Sequence, residues 1–248
     1  MRVLTTLFAG LLLTACVQKA KEEKPEPETV VKDTPVAEEW QVLFDGSSFD
    51  GWHVYGGGNI DDAWKLIDGA MVLQTDTHRT DGNRFNMVTD GEFTNFVLQL
   101  DWRVSSGANS GVMWGVVEID SLPEPYHTGP EIQVLDNIDH PDAKNGTSHQ
   151  AGSLYDMVSP NQDVTKPVGE WNTYEITIDY SKNYGKVVLN GVEIVNFALG
   201  DEAWDTMVAE SKFATWPAFG KTSTGKIALQ DHGEPLEIAY RNIKIKEL

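Results

Sequence analysis

His149 lies in a polar stretch, Asn145-Gly146-Thr147-Ser148-His149, outside any strand-like pattern. An imidazole near its ordinary pKa, carried on a loop, can take a proton from carbon or deliver one to a leaving oxygen. His149 is therefore the first candidate for general acid–base work. His140, Asp142 and Lys144 share the stretch. The first two suit turn and ion-pair contacts, and Lys144 offers a cation for a substrate oxygen. Upstream runs Glu131-Ile132-Gln133-Val134-Leu135-Asp136. On an unbroken strand Glu131 and Gln133 share a face, while Asp136 points away unless a bulge intervenes. Glu131 is the second catalytic candidate, with Gln133 and Asp136 as substrate contacts. A retaining glycosidase requires two carboxyl groups about 5–5.5 Å apart, and the amide of Gln133 in this position counts against that chemistry.

Gln230-Asp231-His232-Gly233 closes a predicted strand near the C-terminus. Glu131, Asp231 and His232 carry ligand types that a divalent cation such as Ca²⁺, Mn²⁺ or Zn²⁺ uses, although no His-x-x-x-His or Cys pair supports them. A cation acting as a Lewis acid is thus a candidate cofactor. Asn109, Tyr155, Gln230 and His232 are candidate substrate contacts. Eight tryptophans suit stacking against a pyranose. Trp114 and Trp216 are the candidates for a cleft. Trp52, Trp64, Trp102 and Trp171 fall in strand patterns or beside turns and are expected inside. Arg103 and Arg241 alternate among apolar neighbours and are expected to pair with the excess acids.

The elements that must hold these groups have period 2. Phe96 to Val104 alternates apolar and polar residues, and similar short runs recur at 70–74, 111–117, 131–135, 171–178, 186–189, 226–230 and 236–245. Asn190-Gly191 between two apolar runs predicts a tight hairpin. Only 202–210 reads as a short helix. Many short strands with Gly and Asn turns predict an all-β fold, a two-sheet antiparallel β-sandwich of jelly-roll type.

The 248 residues carry 38 acidic and 19 basic side chains, a formal charge of −19. That field repels nucleic acid. The 40% hydrophobic content is ample for a packed core. Residues 1–15 read as a signal peptide: Met1-Arg2, an apolar run too short to span a bilayer, then Leu13-Thr14-Ala15 before Cys16. This ending resembles a bacterial lipobox, which implies lipidation of Cys16, the chain's single cysteine, and membrane contact through that lipid alone. Residues 16–39 read as a disordered tether, which leaves 40–248 as the folded domain. The expected location is the cell envelope, anchored to the outer membrane on its periplasmic or surface face.

A series of short motifs in order carries a family resemblance: Leu43-Phe44-Asp45-Gly46 with Gly51-Trp52, Gly107-Ala108-Asn109-Ser110-Gly111, Pro130-Glu131-Ile132-Gln133, His140-Pro141-Asp142-Ala143-Lys144, His149 with Gly152-Ser153-Leu154-Tyr155-Asp156, Glu170-Trp171-Asn172, and Leu229-Gln230-Asp231-His232-Gly233. Residues 40–248 resemble the bacterial 3-keto-disaccharide hydrolase domain, whose fold is similar to concanavalin-A-like lectins and glucanases. Gln150 departs from the pattern, which more often has a basic residue after the histidine. The resemblance implies cleavage of 3-keto-glycosides, supplied by a separate sugar 3-dehydrogenase. A ketone at C3 acidifies the C2 hydrogen, so a base, an electrophile near the C3 oxygen and an acid for the leaving group suffice. In sandwich-fold glucanases the strand corresponding to Glu131–Asp136 carries acids at its first, third and sixth positions. A noncatalytic lectin-like domain and an ordinary retaining glucanase remain the alternatives.

Overall fold

A computed structural model describes residues 39–75 and 84–248. The expected signal peptide, the lipidated Cys16 and the tether up to residue 38 lie outside the described residues.

Thirteen strands and one helix are described, in the order β1 (Gln41–Phe44), β2 (Trp52–Val54), β3 (Trp64–Ile67), β4 (Ala70–Leu73), β5 (Met87–Thr89), β6 (Phe96–Val104), β7 (Asn109–Val116), β8 (Glu131–Leu135), β9 (Asn172–Asp179), β10 (Tyr184–Leu189), β11 (Val192–Ala198), α1 (Glu202–Glu210), β12 (Lys226–Leu229) and β13 (Ile238–Glu247). They form two antiparallel sheets. The larger runs β11-β10-β9-β6-β13-β4-β3, with β1 also paired to β13, and the smaller runs β2-β5-β12-β7-β8.

The sheets pack face to face as the period-2 pattern requires. Along β6, Phe96, Leu98, Leu100, Trp102 and Val104 are buried and the residues between them are half-exposed. They meet Val112, Trp114, Ile132, Val134, Ile227 and Leu229 from the smaller sheet in one core cluster. Burying a side chain of this size stabilises the fold by roughly 1.5–3 kcal/mol. Polar contacts also cross this core: Ser110 Oγ lies 2.7 Å from the Tyr240 hydroxyl, and the Tyr174 hydroxyl donates to the Gln133 carbonyl at 2.7 Å.

The Asn190-Gly191 hairpin forms as expected, with Leu189 opposite Val192 and both turn residues at positive φ, 52° and 83°. Helix α1 starts on Asp201, whose carboxylate accepts from the amides of Ala203 and Trp204.

Trp52, Trp64 and Trp102 are buried as expected. Trp171 and Trp114 exchange the places assigned to them. Trp171 is half-buried on the outer face of the larger sheet, between the guanidinium groups of Arg103 and Arg241 at 4.9 and 4.1 Å. Those arginines pair with Glu237 and Asp101. Trp114 is in the core, stacked on Phe197 at 5.8 Å, with its indole N–H donated to the Tyr180 hydroxyl. Every residue of β7 is buried, so apolar content could not show which face of that strand looks inward.

Candidate active site

The other face of β7 builds the site. Asn109, Gly111 and Met113 stand opposite Leu135, Gln133 and Glu131 of β8, and Gln230 follows β12 on the far side, its amide bonded to the Gly111 carbonyl. A cavity of about 320 Å³ opens over this patch, lined by Asn109, Tyr126, Glu131, Gln133, Tyr155, Lys212, Phe213, Trp216, Gln230 and His232.

The segment 152–155 runs along the free edge of β8. Gly152 N–H donates to the Gln133 carbonyl, Gln133 N–H to Ser153, and Tyr155 N–H to the Glu131 carbonyl. This pairing places the Tyr155 ring beside Glu131. The opposite wall comes from the segment after α1, which is tied down by the Lys212 amide on Asp156 at 2.7 Å and by Phe213 stacked on Phe219 at 3.9 Å.

Glu131 is the cavity's only carboxyl among the described residues. Its side chain is almost fully buried. Burial pushes its pKa up to about 7, although the charges of His232 and Lys212 pull the other way. Glu131 is thus poised to exchange a proton near neutrality.

His232 shares the cavity. Its Nδ1 faces both carboxylate oxygens of Glu234 at 2.7 Å. That contact fixes the proton on Nδ1 and leaves Nε2 to act on a ligand. Burial opposes its charge, but the Glu234 carboxylate and the charge of Glu131 prevail and raise its pKa above the usual histidine value.

The cation is Lys212, whose Nζ lies 3.9 Å from the Tyr155 ring centroid and 5.2 Å from that of Phe213. Sequence reading named Lys144 instead. Lys144 is exposed on the short 3-10 turn Pro141–Asn145 and does not line the cavity. Nor did it find Lys212, Glu234, Tyr126 or Phe213. The available signal was an aromatic-rich segment, Lys212-Phe213-Ala214-Thr215-Trp216, and a carboxyl two residues after His232.

Asn109, Gln133 and Gln230 line the cavity as expected, and each has a buried amide oxygen with no hydrogen-bond partner. The Gln133 orientation is set by its Nε2, which donates to the His149 carbonyl at 3.3 Å. Buried polar atoms are rarely left unmatched. Three bare acceptors on one wall suit a ligand that brings hydroxyl donors. Trp216 lines the cavity, and Trp114 does not.

Two further expected site residues lie elsewhere. Asp136 lines a different cavity, and its carboxylate accepts from the amides of Gly107 at 2.8 Å and Ile138 at 3.0 Å. No bulge turns it towards Glu131. His149, the first candidate for the base, does not line the cavity, and both its ring nitrogens are occupied. Nδ1 lies 2.9 Å from Asp142 and Nε2 3.0 Å from Asp156. In this arrangement neither ring nitrogen is open to a ligand, and the imidazole bridges Asp142 and Asp156. Asp142 accepts the Tyr155 hydroxyl at 2.8 Å. Despite burial, the bonds from Asn145, Tyr155 and His149 hold the Asp142 carboxyl below its usual range. Burial and that same Asp142 raise the Tyr155 phenol well above its ordinary value.

The expected cation ligands are not brought together. The Asp231 carboxylate accepts from the amides of Phe85 and Gly233. His140, His232 and Glu234 do bring ligand-type atoms within 4.8 Å of one another. However, His140 Nδ1 accepts the Asp142 N–H at 3.1 Å, which leaves its ring proton on Nε2, the atom facing Glu234 at 4.0 Å. A metal-bound histidine is protonated the other way round, donating from its second nitrogen. The trio does not fit a cation, and within it the hydrogen bonds run between Glu234 and His232.

Residues 39–246 match the family described as a 3-keto-alpha-glucoside-1,2-lyase-like domain. The chain belongs to this family. A relative from Bacteroides thetaiotaomicron named 3-keto-disaccharide hydrolase is 32% identical, over 98% of this chain and 96% of that protein. A crystal structure of a candidate glycosyl hydrolase from Parabacteroides distasonis is 31% identical with a TM-score of 0.75, over 86% of this chain and 95% of that one. A second from the same organism is 25% identical with a TM-score of 0.61, over 85% and 100% of the two chains. Family membership agrees with the resemblance read from the motifs, and the β-sandwich is the fold expected from it.

Proposed function

We propose that this protein is a glycoside-cleaving enzyme that acts on 3-keto-glycosides, 3-keto-disaccharides among them, by elimination across C1 and C2. The supporting observation is a single buried carboxyl, Glu131, in a cavity that also holds an imidazole backed by Glu234 and the ammonium of Lys212. Ordinary retaining hydrolysis needs a second carboxyl about 5–5.5 Å away, and among the described residues no second carboxyl lines this cavity. The family and the named relative support the same substrate class.

In this reading the Glu131 carboxylate removes the C2 proton. The electron pair of that bond moves into C2–C3, and charge develops on the C3 oxygen, where Lys212 at the cavity wall stabilises it. When the C3 carbonyl re-forms, C1=C2 closes and the C1–O bond breaks. The imidazolium of His232 gives its proton to the departing oxygen. The products are an enone and an alcohol. Water adding to C1, with a proton returned to C2, completes a net hydrolysis. The amide oxygens of Asn109, Gln133 and Gln230 accept the remaining sugar hydroxyls. A sugar 3-dehydrogenase must supply the ketone. The N-terminal pattern supports a lipid anchor at Cys16 and a place in the cell envelope.

The test is to incubate the domain with a 3-keto aryl glucoside and with its unoxidised parent in D₂O. Phenol release from the keto sugar alone, with deuterium appearing at C2 of recovered material, is expected. Equal cleavage of both compounds would overturn the elimination. Binding of unoxidised glycans without turnover of either would instead identify a lectin-like domain.

A further inference from the structure

Trp216 separates the cavity from a second depression. Leu122, His127, Thr215, Trp216, Pro217 and Ala218 line a hollow of about 260 Å³, and of these only Trp216 also lines the cavity that holds Glu131. The shared indole makes the two spaces neighbours. Their chemistry differs. The first carries the titratable groups and bare amide oxygens, whereas the second is largely aliphatic and aromatic.

The hollow has one polar group in a defined state. His127 Nδ1 lies 3.0 Å from the Glu124 carbonyl, a pure acceptor, so Nδ1 carries the proton and donates it. Nε2 is then an acceptor. The ring is packed against Trp216 at 5.2 Å and Tyr126 at 4.8 Å, which fixes its plane. Thr215 is exposed and lines the same hollow. An aromatic wall, an aliphatic floor and a hydroxyl acceptor are the groups that seat a sugar ring, whose CH face stacks on indole while its hydroxyls seek acceptors.

Resting on the elimination reading above, we propose that this hollow is the leaving-group subsite. It receives the second, unoxidised sugar ring of a keto-disaccharide, with its apolar face against Trp216, Leu122 and Pro217 and a hydroxyl donated to His127 Nε2. The oxidised ring occupies the Glu131 cavity, and the scissile oxygen lies at the Trp216 edge between them. The preferred substrate is then a disaccharide, in contrast to a glycoside of a small alcohol.

Ala218 lines the hollow and not the cavity, so Ala218→Leu fills the subsite without touching the groups that do chemistry. Steady-state kinetics with 3-ketotrehalose and methyl 3-keto-α-glucoside give the first reading. The variant is expected to lower kcat/KM for the disaccharide about tenfold and to leave the methyl glycoside within about twofold, a tenfold change being about 1.4 kcal/mol. His127→Gln is expected to act in the same direction. Calorimetric titration of unreactive trehalose and methyl α-glucoside gives the second reading. Wild type is expected to bind trehalose more tightly, and Ala218→Leu to erase the difference. If both variants treat the two substrates alike and trehalose has no binding advantage, the subsite is refuted. If wild type cleaves neither keto sugar but Ala218→Leu still removes the trehalose advantage, the subsite stands and the elimination falls.

Discussion

A Cβ on Gly111 would sit 1.8 Å from Oε1 of Glu131 and 2.5 Å from its Cδ. The glycine on β7 is therefore the space into which the carboxyl of β8 folds, and the position of the acid depends on a missing methyl group on the neighbouring strand. Gly111→Ala must push Glu131 out of the cavity or spread the strand pair. We expect kcat/KM on a 3-keto-glycoside to fall by roughly 10²–10⁴-fold, the range for losing a general base, with circular dichroism unchanged. Activity within threefold of wild type would show that Glu131 does not need this position.

In the proposed elimination the two titrating groups set opposite limbs of the pH profile. Glu131 must be ionised to take a proton, and burial places its pKa at about 7. His232 must be protonated to give one, and the Glu234 carboxylate raises its pKa above the ordinary value. The profile of kcat/KM should rise through about pH 7 and fall on the alkaline side. Glu131→Gln should leave little activity and no rising limb. His232→Ala should flatten the alkaline limb, while phenol leaving groups, which need less protonation, restore part of the rate. An unchanged alkaline limb in His232→Ala would remove histidine from the acid role.

Holding that carboxyl in a buried place has a cost in stability. Its folded pKa of about 7 exceeds the ordinary value of 4.5, so the native state holds this proton more tightly than the unfolded chain. Its contribution to folding is fully present below pH 4.5 and is lost as pH rises through about 7. The shift corresponds to up to about 3 kcal/mol at pH 8. Glu131→Gln should therefore melt several degrees above wild type at pH 8, and the gap should close by pH 4.5. A gap that does not vary with pH would mean that the carboxyl is not strained by burial.

The sandwich and the shared face of Glu131 and Gln133 were legible because both follow from strand parity. Parity could not assign Trp114, since β7 is buried on both sides. It could not find Lys212 either, which lies 81 positions from Glu131 and is brought in by one backbone bond to Asp156. The polar loop around His149 was recognised as part of the site's surroundings. The two aspartates that occupy its nitrogens stand seven residues to either side, a spacing that means nothing until 3-10 turns fold the loop on itself.

That clamp gives His149 a distinct signature. Its ring bridges Asp142 and Asp156; Asp142 in turn holds the Tyr155 hydroxyl, and Asp156 holds the Lys212 amide. Both cavity walls are thus attached to one imidazole. His149→Ala leaves two partly buried carboxyl groups without their shared partner, so the protein should lose thermal stability, by roughly 1–3 kcal/mol for the lost hydrogen bonds. Catalysis should weaken as Tyr155 and Lys212 shift, mainly through KM. In the proposed elimination His149 moves no proton to or from substrate, so the pH limbs assigned to Glu131 and His232 should stay where they are. Disappearance of the rising limb in His149→Ala, with KM unchanged, would return the base to this residue.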